Sequence, residues 1–225
     1  MQSEWANLKE IIQIKQPAIK DINGSIEYLQ EAYEFTEALW ERNFQSISDL
    51  KVVLLSEAPL YGEKQSYIYN HQTKPTSFFY FNDMVATCEK PKLVFEKFKS
   101  TVEKKKYMIE TMAKNGLLIL DIFPYALKKD CTKISYRSLS KKEYSELLTA
   151  TIPFYLQRKL VKISKAASSN LKFAYRYKVL KTNTEEQILN QISKEGMLTS
   201  GNSIPCINGS NMPLSREKLS NLFHC

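Results

Sequence analysis

The sequence predicts an α/β protein in which four strands alternate with helices and form one central, mostly parallel sheet. Two observations support this fold class. Short apolar runs at 51–55 and 117–121 have the composition of buried central strands. Apolar residues at helical spacing fill the stretches between the strands. Because a parallel sheet is covered by helices on both faces, we expect a three-layer αβα arrangement, preceded by N-terminal helices.

Local signals place the elements along the chain. Asn115-Gly116 is a helix stop, Ser140 and Glu143 form a capping box, and Pro153 should kink the helix that follows. Thr184 and Gln187 form a second candidate capping box. The predicted helices cover 1–49 with a break at 23–25, 91–114, 140–167, 184–196 and 214–223, and the predicted strands cover 51–55, 117–121, 171–180 and 203–207.

The 225 residues are predicted to form a single domain, with an N-terminal helical part at 1–49 and an α/β core at 50–225. The sequence has no secretory signal pattern and no apolar run long enough to cross a bilayer, so we expect a soluble cytoplasmic protein without a membrane partner. The four cysteines are scattered without a C-x-x-C pair, which predicts free thiols and no metal site. Neither a P-loop nor a G-x-G-x-x-G motif is present, and we expect no cofactor.

The formal net charge is +8, which favours a polyanionic partner. The basic runs at 97–106 and 158–165 lie in predicted helices, where such a run is most often a solvated face. Nucleic acid is the functional alternative, because many aromatic residues accompany the charge. Residues 56–90 are predicted to form a long loop region rich in aromatic residues. A loop of this length more often has a functional role than the sole role of connecting two elements.

Three predicted strand ends, at 56–62, 121–125 and 208–215, should converge, because the carboxyl ends of parallel strands meet at one edge where ligands bind. Their motifs are Ser56-Glu57-Ala58-Pro59-Leu60, Leu118-Ile119-Leu120-Asp121 and Ser210-Asn211-Met212-Pro213-Leu214-Ser215, with Phe78-Phe79-Tyr80-Phe81-Asn82 in the loop region. In order and strand context they resemble the uracil-DNA glycosylase superfamily over roughly residues 50–223. That family has Gly-Gln-Asp-Pro-Tyr or Gly-Glu-Ala-Pro-Gly, Leu-Leu-Leu-Asn and His-Pro-Ser-Pro-Leu-Ser at these places, with a base-stacking Phe between the first two.

The resemblance implies a DNA partner and a set of site residues. The catalytic candidates are Glu57, Asp121 and Ser210; the base-binding candidates are Tyr61, Phe78, Phe79, Phe81 and again Asp121; the DNA-binding candidates are Ser215, Arg216 and Lys218. Three departures from the family pattern matter. Ala58 stands where one branch has a water-orienting Asp, Ser210 replaces the carbonyl-polarising His, and Asp121 replaces the base-reading Asn.

These departures leave several interpretations open. An ionised Asp121 only accepts hydrogen bonds, so a bound base is not uracil unless Asp121 is protonated. Glu57 could act on water or the sugar, or could simply brace its loop, and Asp121 could cap the turn after its strand. The chain is therefore expected to be a glycosylase-like protein that binds DNA and excises a modified or mismatched base, or a non-catalytic nucleic-acid- or nucleobase-binding module. A different ligand on the same fold is the third possibility.

Overall fold

The computed structural model describes residues 2–16, 21–73, 98, 100–197, 203–207 and 215–224. Its strands are β1 (Leu50–Ser56), β2 (Leu117–Asp121) and β3 (Ala167–Tyr175). The helices are α1 (Gln2–Lys15), α2 (Ile22–Gln45), α3 (Thr101–Lys114), α4 (Lys129–Thr132), α5 (Lys141–Thr151), α6 (Gln157–Ala166), α7 (Lys178–Lys194) and α8 (Arg216–His224), with a 3-10 turn at Tyr136–Ser138 and a π-helical turn at Ile152–Leu156. The α/β class is confirmed.

The three strands form a parallel sheet in the order β2-β1-β3. The central strand β1 is fully buried from Val52 to its end, and its side chains there are apolar up to Leu55, as expected of a central parallel strand. Helix α3 packs against β2, α7 against β3, and α8 against β1. Among the described residues, no helix is both long and apolar enough to span a membrane.

The predicted fourth strand is wrong for the described part of the chain. Residues 203–207 run beside β3 but form only one parallel bridge, between Tyr175 and Cys206. The Tyr175 N–H donates to Pro205 O at 2.8 Å, and the Ile207 N–H donates to Tyr175 O at 3.0 Å. Pro205 has no N–H to make the next ladder bond, which explains why pairing stops there.

Two predicted boundaries shift for local reasons. The third strand ends at Tyr175, because Tyr177 caps α7 and Val179 is 71% exposed on that helix. Thr184 is consequently inside α7, where its buried hydroxyl donates to the carbonyl of Leu180. The alternating aromatic pattern after Phe173 thus crosses from a strand into a helix.

The other local signals give a mixed outcome. The predicted capping box of Ser140 on α5 is formed, and Ser100 forms another on α3 that was not predicted. The kink expected at Pro153 appears as the π-helical turn Ile152–Leu156. The predicted break at 23–25 is wrong, because the Asp21 side chain accepts the Gly24 N–H and caps α2, which starts at Ile22 and therefore contains residues 23–25.

Aromatic side chains protect the outer edge of β2. The Tyr69 hydroxyl accepts the N–H of Ile119 at 2.7 Å and donates to the carbonyl of the same residue at 3.2 Å. The Trp40 indole N–H also donates to that carbonyl, at 3.2 Å. An edge strand exposes unpaired backbone groups unless something covers them, so these two side chains satisfy the outer backbone groups of Ile119, and Trp40 also links β2 to α2.

Candidate functional site at the carboxyl ends of the strands

Two predicted strand ends meet where the sequence analysis placed them. Ser56 and Asp121 are paired in register at the last positions of β1 and β2. The ladder then continues beyond the strands, because the Ile122 N–H donates to Ser56 O at 2.9 Å and the Phe123 N–H donates to Glu57 O at 3.0 Å. Glu57 therefore follows directly on the paired Ser56, at the same edge as Asp121.

Asp121 is a buried acid with an elevated pKa. Its side chain is 2% exposed, and burial raises its pKa to about 6 from an ordinary value of 3.8. The positive charge of Lys159 and the nearby hydroxyls of Tyr67 and Ser56 act in the opposite direction, while Glu37 raises the pKa further. Asp121 is thus mostly ionised at neutral pH but within reach of protonation just below it.

Two polar atoms at this strand edge are unsatisfied. Ser56 is fully buried, and its hydroxyl lies close enough to Asp121 to lower the pKa of that acid. Among the described residues, however, neither Ser56 Oγ nor Asp121 Oδ2 has a hydrogen-bond partner of acceptable geometry. Buried polar atoms without a protein partner are costly, so these two atoms mark this strand edge as a candidate polar site.

Lys159 supplies a buried positive charge to the same region. It lies on α6, is 3% exposed, and forms an ion pair with the Glu37 carboxylate of α2. Its Nζ donates to the Tyr155 hydroxyl at 3.0 Å and lies 4.3 Å from the centroid of the Trp40 ring. Burial lowers the pKa of this amine, and the charges of Glu37 and Asp121 oppose that effect.

Glu57 is the second acid at this edge. Burial raises its pKa, against the hydrogen bond from Tyr144 and the charge of Arg137. The Tyr144 hydroxyl donates to Glu57 Oε1 at 3.0 Å. Tyr144 is held on α5 by the capping box and by edge contact with Phe123, so one Glu57 oxygen has a fixed orientation.

The ring of Tyr61 is not exposed as a surface on which a base could stack. It is 9% exposed, and its ring contacts Tyr28 and Phe35 of α2. Its hydroxyl donates to Glu31 at 2.6 Å. In this conformation Tyr61 packs against α2 rather than presenting a free ring face to a base.

The remaining predicted residues are only partly described. Phe78, Phe79, Phe81 and Ser210 lie outside the described residues. Ser215 precedes α8, where its hydroxyl accepts the Lys218 N–H at 3.3 Å and its own N–H donates to Ile207 O at 3.0 Å. Arg216 is the first residue of α8, and the Lys218 side chain on the same turn is exposed.

Sequence reasoning missed the buried lysines. Each basic run that was interpreted as a solvated face contains one: Lys159, and Lys105 on α3, which is 1% exposed. Lys105 Nζ donates to Tyr67 O at 2.9 Å and to Thr73 Oγ1 at 2.8 Å, and burial lowers its pKa to about 8. A signal existed, because Lys159 shares the apolar helical face of Leu156 and Ile163.

The chain is an α/β protein with two acids at the carboxyl edge of a parallel sheet, of which Asp121 is buried and Glu57 is half-buried. Within the described ranges, no group of three or more His, Cys, Asp or Glu side chains could hold a metal ion. The chain matches no family model, and neither a curated protein nor a solved structure shows significant similarity to it.

Proposed function

We propose that this chain is a uracil-DNA glycosylase-like protein that binds DNA, takes up an extruded base at the carboxyl edge of the sheet, and hydrolyses its N-glycosidic bond. The observation that supports this most is the pair formed by the buried Asp121 and the half-buried Glu57, two acids with raised pKa values at neighbouring strand ends. The proposal includes the three-layer αβα arrangement that the resemblance implies.

The roles follow from the chemistry of each group. Excising a base requires its extrusion from the stack, recognition of its polar edge, and negative charge or activated water near the developing oxocarbenium ion. Asp121 Oδ2, which lacks a protein partner among the described residues, is proposed to accept a hydrogen bond from the base. Glu57, oriented by Tyr144, is proposed to face the sugar or its attacking water.

The other proposed contacts come from the resemblance alone. Ser210 is proposed to donate one hydrogen bond to the departing base. Phe78, Phe79, Phe81 and Tyr61 are proposed to supply the stacking surface, which in the case of Tyr61 requires the ring to leave its contacts with α2. Ser215, Arg216 and Lys218 are proposed to contact the DNA backbone at the start of α8.

A non-catalytic nucleobase- or nucleic-acid-binding module is the second candidate, and one contact favours it. The hydrogen bond from Tyr144 occupies Glu57 Oε1, as expected of a carboxylate that braces its loop. Ala58 stands in the place of the water-orienting Asp. A module with this site would bind the base and leave the glycosidic bond intact.

Incubation with single- and double-stranded oligonucleotides that carry modified or mismatched bases separates the two candidates. Abasic-site formation that disappears in Asp121→Ala and Glu57→Gln, but persists in the exposed control variants Asp130→Asn and Glu63→Gln, supports the glycosylase. Salt-sensitive binding without cleavage supports the module. Absence of DNA binding at low salt excludes the glycosylase and a DNA-binding module.

The DNA contact is tested separately. Replacing both Arg216 and Lys218 by Ala should weaken DNA binding and reduce its salt dependence, because each lost phosphate contact lowers counterion release. The exposed pair Lys142 and Lys194 on α5 and α7 is a charge-matched control. Equal losses in the two double variants would mean that only net charge matters.

A further inference from the structure

We infer that the chain between β2 and α5 forms a second DNA-binding surface, which holds the phosphate backbone of the strand whose base enters the candidate site. The surface consists of exposed basic side chains and is called the basic connection below; its members are Lys128, Lys129, Lys133, Arg137 and Lys141. Lys142 is left out, because its Nζ is 3.8 Å from the Glu146 carboxylate one turn further along α5. The inference rests on the DNA-binding part of the proposed function and adds a surface outside the predicted set of site residues.

The positive charge of the basic connection is not balanced by its own sequence. Asp130 is the only acid between residues 128 and 141. Its carboxylate lies 3.6 Å from Lys128 Nζ, but both side chains are exposed to solvent, which weakens such a pair. Lys133 Nζ donates to a neutral group, the carbonyl of Asp130, at 3.0 Å. No described carboxylate forms an ion pair with Lys129, Lys133 or Lys141, so these charges remain available to a partner.

The start of the basic connection lies against the loop that follows β1. A Cβ built on Gly62 would lie 3.1 Å from Lys128 Cδ and 3.2 Å from Lys128 Nζ. The Gly62 N–H donates to the Tyr28 hydroxyl at 3.0 Å, and that hydroxyl donates to Ala126 O at 3.4 Å. Tyr28 thus joins the loop that carries Glu57 to the first residues before the basic connection.

The middle of the basic connection lies near the end of β2. Arg137 is exposed in the 3-10 turn, and the neighbouring Tyr136 is buried. The Tyr136 hydroxyl donates to Tyr125 O at 2.7 Å, and its ring centroid lies 4.7 Å from that of Phe123. These contacts fix the turn beside the residues that leave β2, and the charge of Arg137 consequently acts on Glu57. The basic connection therefore borders the candidate site.

Two of these lysines lie where local structure gains nothing from them. Lys141 is the first residue of α5, where the helix dipole disfavours a cation. The acid of that turn, Glu143, forms the capping box and pairs with Lys15 of α1 at 2.9 Å. Lys133 has a φ of +60°, a conformation that glycine or asparagine adopts more readily than lysine. Local stability does not account for these two residues, whereas a phosphate partner does.

The nature of the partner follows from the position of the charges. A base can enter the site beside Glu57 and Asp121 only after extrusion from its stack, and the flanking phosphates then remain outside the site. Exposed lysines at the border of the site can neutralise these phosphates and release their counterions, which is the main source of affinity that does not depend on sequence. The basic connection would thus position the strand without reading its bases.

The test removes three lysines in the variant Lys129→Gln/Lys133→Gln/Lys141→Gln and measures binding to labelled single-stranded and duplex oligonucleotides by fluorescence anisotropy. We expect binding at about 100 mM salt to weaken about tenfold or more. The slope of log K against log salt for the single strand should fall in magnitude by about two, because each lost phosphate contact removes about 0.7. If the positive φ of residue 133 prevents folding of this variant, Lys129→Gln/Lys141→Gln replaces it, with a smaller loss in the same direction.

The matched control removes the same charge at the opposite end of the sheet. The variant is Lys51→Gln/Lys114→Gln/Lys165→Gln, whose exposed lysines lie at or just before the amino ends of β1, β2 and β3. We expect its affinity to stay within about twofold of that of the unmodified chain, with little change of the salt slope.

A second measurement uses the unmodified chain. Cys131 is a half-buried free thiol in α4, between Lys129 and Lys133. Saturating oligonucleotide should slow the alkylation of Cys131 by iodoacetamide severalfold, as followed by mass spectrometry of the peptide that contains it. An unchanged alkylation rate under conditions where the oligonucleotide is bound overturns the inference.

The binding outcomes distinguish this inference from the proposed function. Equal losses in the two triple variants overturn the inference, because only net charge would then matter. Unchanged binding in the Lys129 variant, with a loss when Arg216 and Lys218 are replaced, overturns the inference and leaves the proposed function in place. Binding that depends on the basic connection without abasic-site formation supports the inference and contradicts the glycosylase. No binding by the unmodified chain at low salt overturns both.

Discussion

Replacing Asp121 by Asn should stabilise the protein at neutral pH, because the structure buries an acid that is ionised there. Burial raises the pKa of Asp121 from 3.8 to about 6, so the native state binds this proton more tightly than the unfolded state does. The free energy of unfolding therefore falls as the pH rises from about 4 to about 6. The difference between the two pKa values corresponds to about 3 kcal/mol of lost stability above pH 6.

Asparagine has nearly the shape of the protonated acid and carries no charge, so Asp121→Asn should avoid this loss. We expect the variant and the unmodified protein to be equally stable near pH 4, and the variant to gain up to about 3 kcal/mol at pH 7. Urea unfolding followed by tryptophan fluorescence between pH 4 and 8 measures the difference, with the 82% exposed Asp130→Asn as control. A variant that is destabilised equally at both ends of this range would refute the claim that Asp121 is a buried, destabilising anion.

Two further outcomes follow from single contacts. Gly116→Ala should cost about 3 kcal/mol in urea unfolding, because φ is +76° there and a Cβ would lie 2.2 Å from Asp49 O. The control is Gly196→Ala, where φ is +71° but no atom lies within 4 Å of the added Cβ, and it should cost about 1 kcal/mol. Equal costs for the two variants would contradict the claim that the contact with Asp49 O destabilises Gly116→Ala. Tyr144→Phe should raise the pKa of Glu57 further, because the hydrogen bond from the Tyr144 hydroxyl lowers that pKa. A carboxyl NMR titration measures the change, and an unchanged Glu57 midpoint would argue against this hydrogen bond.

The parts of the fold that could be predicted are those set by local composition. The second strand was predicted at 117–121 and is found at Leu117–Asp121, because a fully apolar run before a polar residue suits only a strand buried on both faces. The third strand was predicted too late in the chain. Its first residues, from Ala167, are polar and partly exposed at the edge of the sheet, so their pairing with β1 leaves no apolar signature.

The candidate site was predictable in part for the same reason. Glu57 and Asp121 follow apolar strands directly, and parallel pairing brings their ends to one edge. Glu37 and Tyr144 had no such signal, because each lies on a helix whose rotation and packing against other elements aim its side chain. Tyr61 was expected to face a base, but contacts with α2 cover its ring.

The sequence by itself determined the α/β class, the positions of the two apolar strands and the two acids at their ends. The reason is that a short apolar run indicates a buried strand, and the polar residue after it indicates where the strand ends. Only the tertiary structure decided the charge environment of those acids. The ion pair between Lys159 and Glu37 joins helices that are more than a hundred residues apart in the chain, and the pKa of Asp121 depends on that pairing and on burial by other elements. Electrostatic coupling depends on distance in space and on exclusion of water, and neither is a local property of the sequence.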